Sequence, residues 1–154
     1  MVNSPNFNDR PDDSIIDCIV LHSTVQRTLQ DTVTLFLDPA SKVSSHFVVG
    51  KDGTVVQMVS LTKRAWHAGV SCLDGVDSVN DYSIGIEMTN MNDGVDPYPD
   101  KQYLAVAKII RRCRKSYDIP DRRIVSHAKI ALPQGRKNDP LGFDFDKLKK
   151  LLAK

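Results

Sequence analysis

The chain has 154 residues, of which 41% are hydrophobic and 26% charged, and a formal net charge of +2. That length suits one domain with a core that needs no covalent staples, and the composition excludes a disordered chain. The small charge, with no basic stripe interleaved with aromatics, gives no reason to expect a nucleic-acid partner. The densest basic cluster, Arg111, Arg112, Arg114 and Lys115, reads as the solvated face of a helix.

Cys18, Cys72 and Cys113 are odd in number and show neither metal-ligand nor redox spacing. Cys18 lies in an apolar run and reads as a small buried hydrophobe, so a disulfide framework is not expected. Residues 1–13 are polar, contain Pro5 and Pro11, and read as an extended arm ahead of a domain over 14–154. They lack the charged head and apolar stretch of a standard secretory signal, and no apolar run is long enough to span a bilayer. The expectation is a monomer made in the cytoplasm without a standard signal peptide.

In chain order, Ile15 to Leu21 (IIDCIVL) is the run expected of a buried central strand. Gln26 to Leu37 places Leu29, Val33, Phe36 and Leu37 at helical spacing, and Asp38-Pro39 stops it. Ser45 to Val49 and Thr54 to Met58 are short β-type runs around Asp52-Gly53, a tight-turn pair. Ser83 to Met88 (SIGIEM) is a further strand. Asp100 is placed to cap a helix running to about Ser116, with Tyr103, Ala107 and Ile110 along its faces. Arg123 to Val125 is a short strand, and Lys129 to Gly142, with two prolines and two glycines, is expected as loop. A last amphipathic helix starts near Asp144. Alternating strands and helices give an α/β single domain.

Four histidines occur, His22, His46, His67 and His127. His22 and His127 follow strand runs, where α/β folds gather functional groups, although a lone histidine there is more often structural. Asp139 sits in Asn138-Asp139-Pro140, ordinary turn chemistry. Two imidazoles and a carboxylate form a known catalytic zinc set that leaves the fourth position to water. Spacing alone does not bring these three together. On pattern, Glu87 is equally a solvent-facing strand residue or a strand-end acid, and Lys137 is a surface loop lysine. Trp66, beside His67 and Gly69, suits a groove or a core.

Together the segments IVLHST (Ile19 to Thr24), SSHFVVGKDGTVVQMV (Ser44 to Val59), AWHAG (Ala65 to Gly69), SIGIEM, IVSHAKI (Ile124 to Ile130) and GRKNDPLGFDF (Gly135 to Phe145) resemble the zinc-dependent N-acetylmuramoyl-L-alanine amidases. That superfamily includes phage lysozyme-amidases, AmpD-like enzymes and peptidoglycan recognition proteins. The resemblance runs from about Ile15 to Phe143. It implies a central mixed sheet flanked by helices, with Zn2+ at the floor of a surface groove and a peptidoglycan or muropeptide substrate. By the same resemblance His22, His127 and Asp139 match the zinc ligands. Glu87 matches the catalytic glutamate of the AmpD-like branch, and Lys137 the functional lysine two residues before the third ligand. His67 and Trp66 are assigned to the groove as substrate contacts, and His46 to packing or to a position behind the site. Ser45 stands where phage enzymes carry a catalytic tyrosine, and DPLG replaces the usual DPG with one extra residue. The competing class is a binding module that recognises peptidoglycan without cutting it. Such relatives commonly lack the third ligand, whereas Asp139 and Glu87 are both present here.

Overall fold

The computed structural model describes residues 1–154. A five-stranded sheet runs in the order β4 (Val55–Gln57), β3 (Phe47–Val49), β8 (Ser83–Met88), β2 (Cys18–Ser23) and β9 (Ile124–Ser126). Only the β3–β4 pair is antiparallel; β3–β8, β8–β2 and β2–β9 are parallel, so the sheet is mixed. Four helices flank it: α1 (Leu29–Leu37), α2 (Asp100–Cys113), α3 (His127–Ile130) and α4 (Phe145–Leu152). The edges carry β1 (Phe7–Asp9) paired with β5 (Lys63–Ala65), and a hairpin of β6 (Cys72–Leu73) and β7 (Val76–Asp77). The expected α/β domain, with its mixed central sheet and flanking helices, is what forms.

Strand alternation divides the molecule. Ile19 and Leu21 of β2, Phe47 and Val49 of β3, and Ile84, Ile86 and Met88 of β8 pack on one face against Tyr103, Val106, Ala107 and Ile110 of α2 and Leu148 of α4. The opposite face carries Cys18, Val20 and His22 from β2 and Ser83, Gly85 and Glu87 from β8, with His22 directly beside Glu87 in register. Its apolar part closes over Cys18, Val20, Val79, Tyr82 and Ile130. Thus one face is apolar as far as Ser23 at the end of β2, and the other changes from apolar to polar towards the strand ends.

Several boundaries differ from the sequence reading. The central strand is Cys18–Ser23 rather than Ile15 to Leu21: Ile15 is 76% exposed, while the ladder continues through His22 and Ser23. α1 begins three residues after Gln26, because Thr28 and Asp31 close a reciprocal capping box. Asp100 is the first residue of α2 and not its cap; Pro99 holds the cap position, and the helix ends at Cys113. Lys129 and Ile130 are helical, since Ser126 Oγ accepts from the Lys129 N–H and caps α3; the loop begins at Ala131. The three cysteines are free, and Cys18 and Cys113 are buried. Arg111, Arg112 and Lys115 are solvent-exposed, as expected of a helix face.

The first residues are extended and docked. The N–H groups of Val2 and Ser4 donate to the carbonyls of Gln57 and Met58 beside β4, and the buried Asn6 amide donates to the carbonyls of Asp38 and Val43. Arg10 reaches deepest: its guanidinium donates to the carbonyls of Leu61, Asn80, Asp81 and Ser83. That is the fork geometry only arginine supplies, and it ties the arm to the start of β8. Burial pushes its pKa down to about 10, which leaves it charged at neutral pH.

Candidate metal centre

At the polar end of the sheet, β2 delivers His22, the first residue of α3 delivers His127, and the loop after Ala131 delivers Asp139. All three are buried, and one ligating atom from each lies within 4.8 Å of the others. His22 Nδ1 is 3.4 Å from Asp139 Oδ2, and His127 Nδ1 is 3.2 Å from Asp139 Oδ1. The two imidazole rings meet edge to face with centroids 4.5 Å apart. Each therefore turns its Nδ1 towards the shared point.

The opposite ring nitrogens are engaged from behind. His127 Nε2 lies 3.2 Å from the Ala68 carbonyl, and His22 Nε2 lies 3.0 Å from His67 Nδ1. Asp139 is fixed by the Ser23 N–H, which donates to its Oδ2 at 3.3 Å. The extra residue at 141 does not move Asp139 away. Leu141 turns outward, 40% exposed, and its N–H donates to Asn92 Oδ1. The Asn92 amide donates to Asn138 Oδ1, so one side chain grips both flanks of Asp139-Pro140. Asn92 itself has φ 56°, a left-handed conformation that asparagine tolerates.

Electrostatics favour a ligand-ready state. Burial lowers the His22 pKa to about 4, so its ring is neutral. Burial by itself raises the Asp139 carboxyl, but the His127 and His22 rings beside it outweigh that and hold it well below the usual carboxylate range. Of the coupled pair, the neutral imidazole and the carboxylate anion are the forms this geometry favours, and both bind metal without first losing a proton. Two imidazoles and one carboxylate, buried and aimed at one point, fit a zinc ion with a position left open.

Glu87 stands beside His22. Its Oε2 is buried without a hydrogen-bond partner. Burial first, and the Asp139 charge second, push its pKa up to about 8, with Lys137 opposing. In the metal-free protein this shift favours the protonated carboxyl at neutral pH, with one oxygen unclaimed by any protein group. Lys137 is exposed and lines the same cavity of about 260 Å³ as His22, Glu87, Trp66, His127 and Asp139. A larger hollow of about 610 Å³ beside Arg122, Lys129 and Phe145 includes no group of candidate ligands.

Trp66 is half-buried at the cavity wall, and its indole N–H donates to Asn8 Oδ1 at 2.7 Å. His67 borders the cavity but is only 8% exposed, and both its ring nitrogens are engaged, one by His22 and one by Ser83 Oγ. Its surroundings are those of a residue behind the metal point rather than in open groove. His46 is fully buried: its Nδ1 accepts the Gly85 N–H, so its proton sits on Nε2 and faces the Lys63 carbonyl. Ser45 is also fully buried, and its hydroxyl donates to the Phe47 carbonyl, away from the cavity. The Ala68 carbonyl, the Ser23 N–H, Asn80, Arg10 and Asn92 were not marked by the sequence. Backbone groups carry no residue signature, and a lone asparagine or arginine in a turn-like stretch is ordinary.

An α/β sheet with two histidines and an aspartate converging beside a glutamate defines a class suited to metal-assisted hydrolysis. Within that class the chain belongs to the N-acetylmuramoyl-L-alanine amidase family, whose model matches residues 11–142. It is 34% identical over 172 residues to the 1,6-anhydro-N-acetylmuramyl-L-alanine amidase AmpD of Salmonella typhimurium, covering 99% of this chain and 89% of that protein. The fold superposes on the crystal structure of a Se-Met AmpD derivative with a TM-score of 0.84 and 32% identity, covering 98% of this chain and 92% of that one. The Escherichia coli amidase AmiD, solved with the substrate anhydro-N-acetylmuramic acid-L-Ala-D-gamma-Glu-L-Lys, gives a TM-score of 0.77 at 30% identity, covering 92% of this chain and 60% of that one.

Proposed function

We propose that this amidase is zinc-dependent and hydrolyses the amide between the lactyl group of N-acetylmuramic acid and L-alanine, with soluble anhydromuropeptides as its first substrates. The observation that carries the zinc reading is the convergence of His22, His127 and Asp139 within 4.8 Å beside Glu87. The substrate class rests on family membership and on what the related AmpD and AmiD are named for and bind. No helix of the chain is long and apolar enough to cross a membrane.

An amide is a poor electrophile and water a poor nucleophile. Bound zinc supplies polarisation of the carbonyl and acidification of water. The chain's residues supply the rest. Glu87 takes the proton of the attacking water and passes it to the leaving alanine nitrogen. Lys137 places a cation at the cavity where the carbonyl oxygen gains charge. Trp66 offers an aromatic wall to the substrate.

The test is mass spectrometry after incubating the zinc-loaded protein with a purified anhydromuropeptide. Expected products are the intact stem peptide with a free L-alanine amine and the unaltered sugar. An anhydromuropeptide cut within the stem or the sugar, without a new free L-alanine amine, would overturn the assignment.

A further inference from the structure

His22 and His127 are held from behind by one short segment. The Ala68 carbonyl faces His127 Nε2 at 3.2 Å, and the His67 ring faces His22 Nε2 at 3.0 Å. The segment is itself fixed by Asn80, whose side-chain oxygen accepts the N–H of His67 at 3.2 Å and of Ala68 at 2.9 Å. The His67 ring lies directly over Gly85: a Cβ there would stand 2.5 Å from His67 Cγ and 2.9 Å from its Nδ1. Strand alternation puts Ser83, Gly85 and Glu87 in one row on this face. The glycine opens a slot for the ring, and Ser83 meets its far nitrogen at 3.2 Å.

The directions of these bonds follow from the ligand geometry. His22 turns Nδ1 to Asp139 and the metal point, so once Nδ1 holds the metal the ring's one proton is on Nε2. That proton needs an acceptor, and His67 Nδ1 is the atom in place. His67 then carries its own proton on Nε2 and gives it to Ser83 Oγ. A histidine ligand commonly donates its second N–H to a carboxylate, carbonyl or water, which fixes its tautomer and ring orientation. Here a second histidine takes that role.

We propose that His67 is a positioning residue of the metal centre: by accepting the Nε2–H of His22 it determines which ring nitrogen His22 presents to zinc. This rests on the zinc reading above. It gives the Trp66-His67-Ala68 segment two tasks, with Trp66 facing the cavity and His67 and Ala68 orienting the two imidazole ligands.

The experiment uses the full chain loaded with zinc, and with cobalt(II) as a spectroscopic probe. His67→Phe fills the slot without an acceptor, and His67→Asn can return an oxygen to the place of Nδ1. Zinc affinity by chelator competition is expected to fall about 10- to 100-fold in His67→Phe, the range seen when outer-shell partners are removed, and to recover in large part in His67→Asn. The cobalt visible spectrum is expected to change in His67→Phe and to return in His67→Asn. Wild-type zinc affinity and cobalt spectrum in a folded His67→Phe would overturn the proposal alone; a wild-type chain that takes up no zinc would overturn the zinc reading beneath it. A measurement on the unmutated zinc protein covers the case in which His67→Phe does not fold. Long-range ¹⁵N–¹H correlation is expected to show protons on Nε2 of both His22 and His67, and a proton on His67 Nδ1 overturns the proposal.

Discussion

The two halves of the site are built differently. His22 and Glu87 stand on neighbouring parallel strands, where ladder register fixes their spacing and the apolar face beneath them is packed against α2 and α4. Asp139 and Lys137 belong to an irregular segment held by individual bonds. Asn92 grips Asn138 and Leu141, the Ala128 N–H donates to the Asp139 carbonyl, and Arg136 donates to the carbonyls of Leu132 and Val70. A sheet residue cannot shift by one place without turning its side chain to the other face. A loop residue can, and each of its ties is worth only about 1 kcal/mol. The sheet half thus gives precision through cooperativity, and the loop half tolerates the extra residue Leu141 because its ties can be rearranged one by one.

The largest effect tests whether the halves share one metal. His22→Ala from the sheet and Asp139→Ala from the loop are both expected to lose stoichiometric zinc by elemental analysis and to lose turnover. Full zinc in either would remove that residue from the centre. Asp139→Cys sharpens the contrast: thiolate is a good zinc donor, so zinc is expected to stay. Its absence from a folded Asp139→Cys protein would mean that the loop holds the carboxylate's reach and not merely its position.

Next in size is Glu87→Gln, which keeps shape and removes the proton acceptor. The expected loss in kcat is on the order of 10²- to 10⁴-fold with zinc content unchanged. Near-normal kcat would reduce Glu87 to a strand residue. Lys137→Ala, its counterpart on the loop, is expected to cost about 10²- to 10³-fold in kcat with a smaller change in KM, because the oxyanion forms only near the transition state. A loss confined to KM would make Lys137 a substrate anchor instead.

A smaller effect belongs to the sheet half alone and needs no substrate. In the metal-free protein the Glu87 carboxyl is held at about 8 against an ordinary value of 4.5. Between those pH values the folded state keeps a proton that the unfolded state has released, so this group's contribution to stability falls as pH rises. Glu87→Gln removes the dependence. Metal-free Glu87→Gln and wild type are expected to unfold alike near pH 4, and the variant to be more stable near pH 8 by on the order of 1 to 3 kcal/mol. Equal denaturation midpoints across that range would show that Glu87 is not held protonated.

The smallest effect belongs to the loop. Asn92→Gly keeps the left-handed backbone and removes both ties to the residues around Asp139. Zinc affinity is expected to fall by a factor of roughly 5 to 10, about the worth of one or two net hydrogen bonds. A loss as large as that of Asp139→Ala would show that the loop is held by Asn92 alone and not by several independent ties.

What the sequence by itself determined is what short-range pattern carries. β8 was legible to the residue in SIGIEM, because period-two alternation and a central glycine leave little choice. α4 was legible from Asp144 and the spacing of Phe145, Leu148, Leu151 and Leu152. The strand-end placement of His22 and His127 was readable too. The convergence of His22, His127 and Asp139 was not contained in their spacing; it entered through resemblance to a family. It was settled by the parallel pairing of β9 with β2 and by a loop that returns from α3 to the Ser23 N–H. The placement of the His67 ring shows the limit most clearly. Its neighbours in sequence, Trp66 and Gly69, suggest an open wall, but the ring is drawn beneath His22 by a slot at Gly85 and an acceptor at Ser83. Ladder register, close approach of a ring to a glycine backbone and hydrogen bonds to main-chain groups join residues distant in the chain. They have no local signature, so only the tertiary structure decides them.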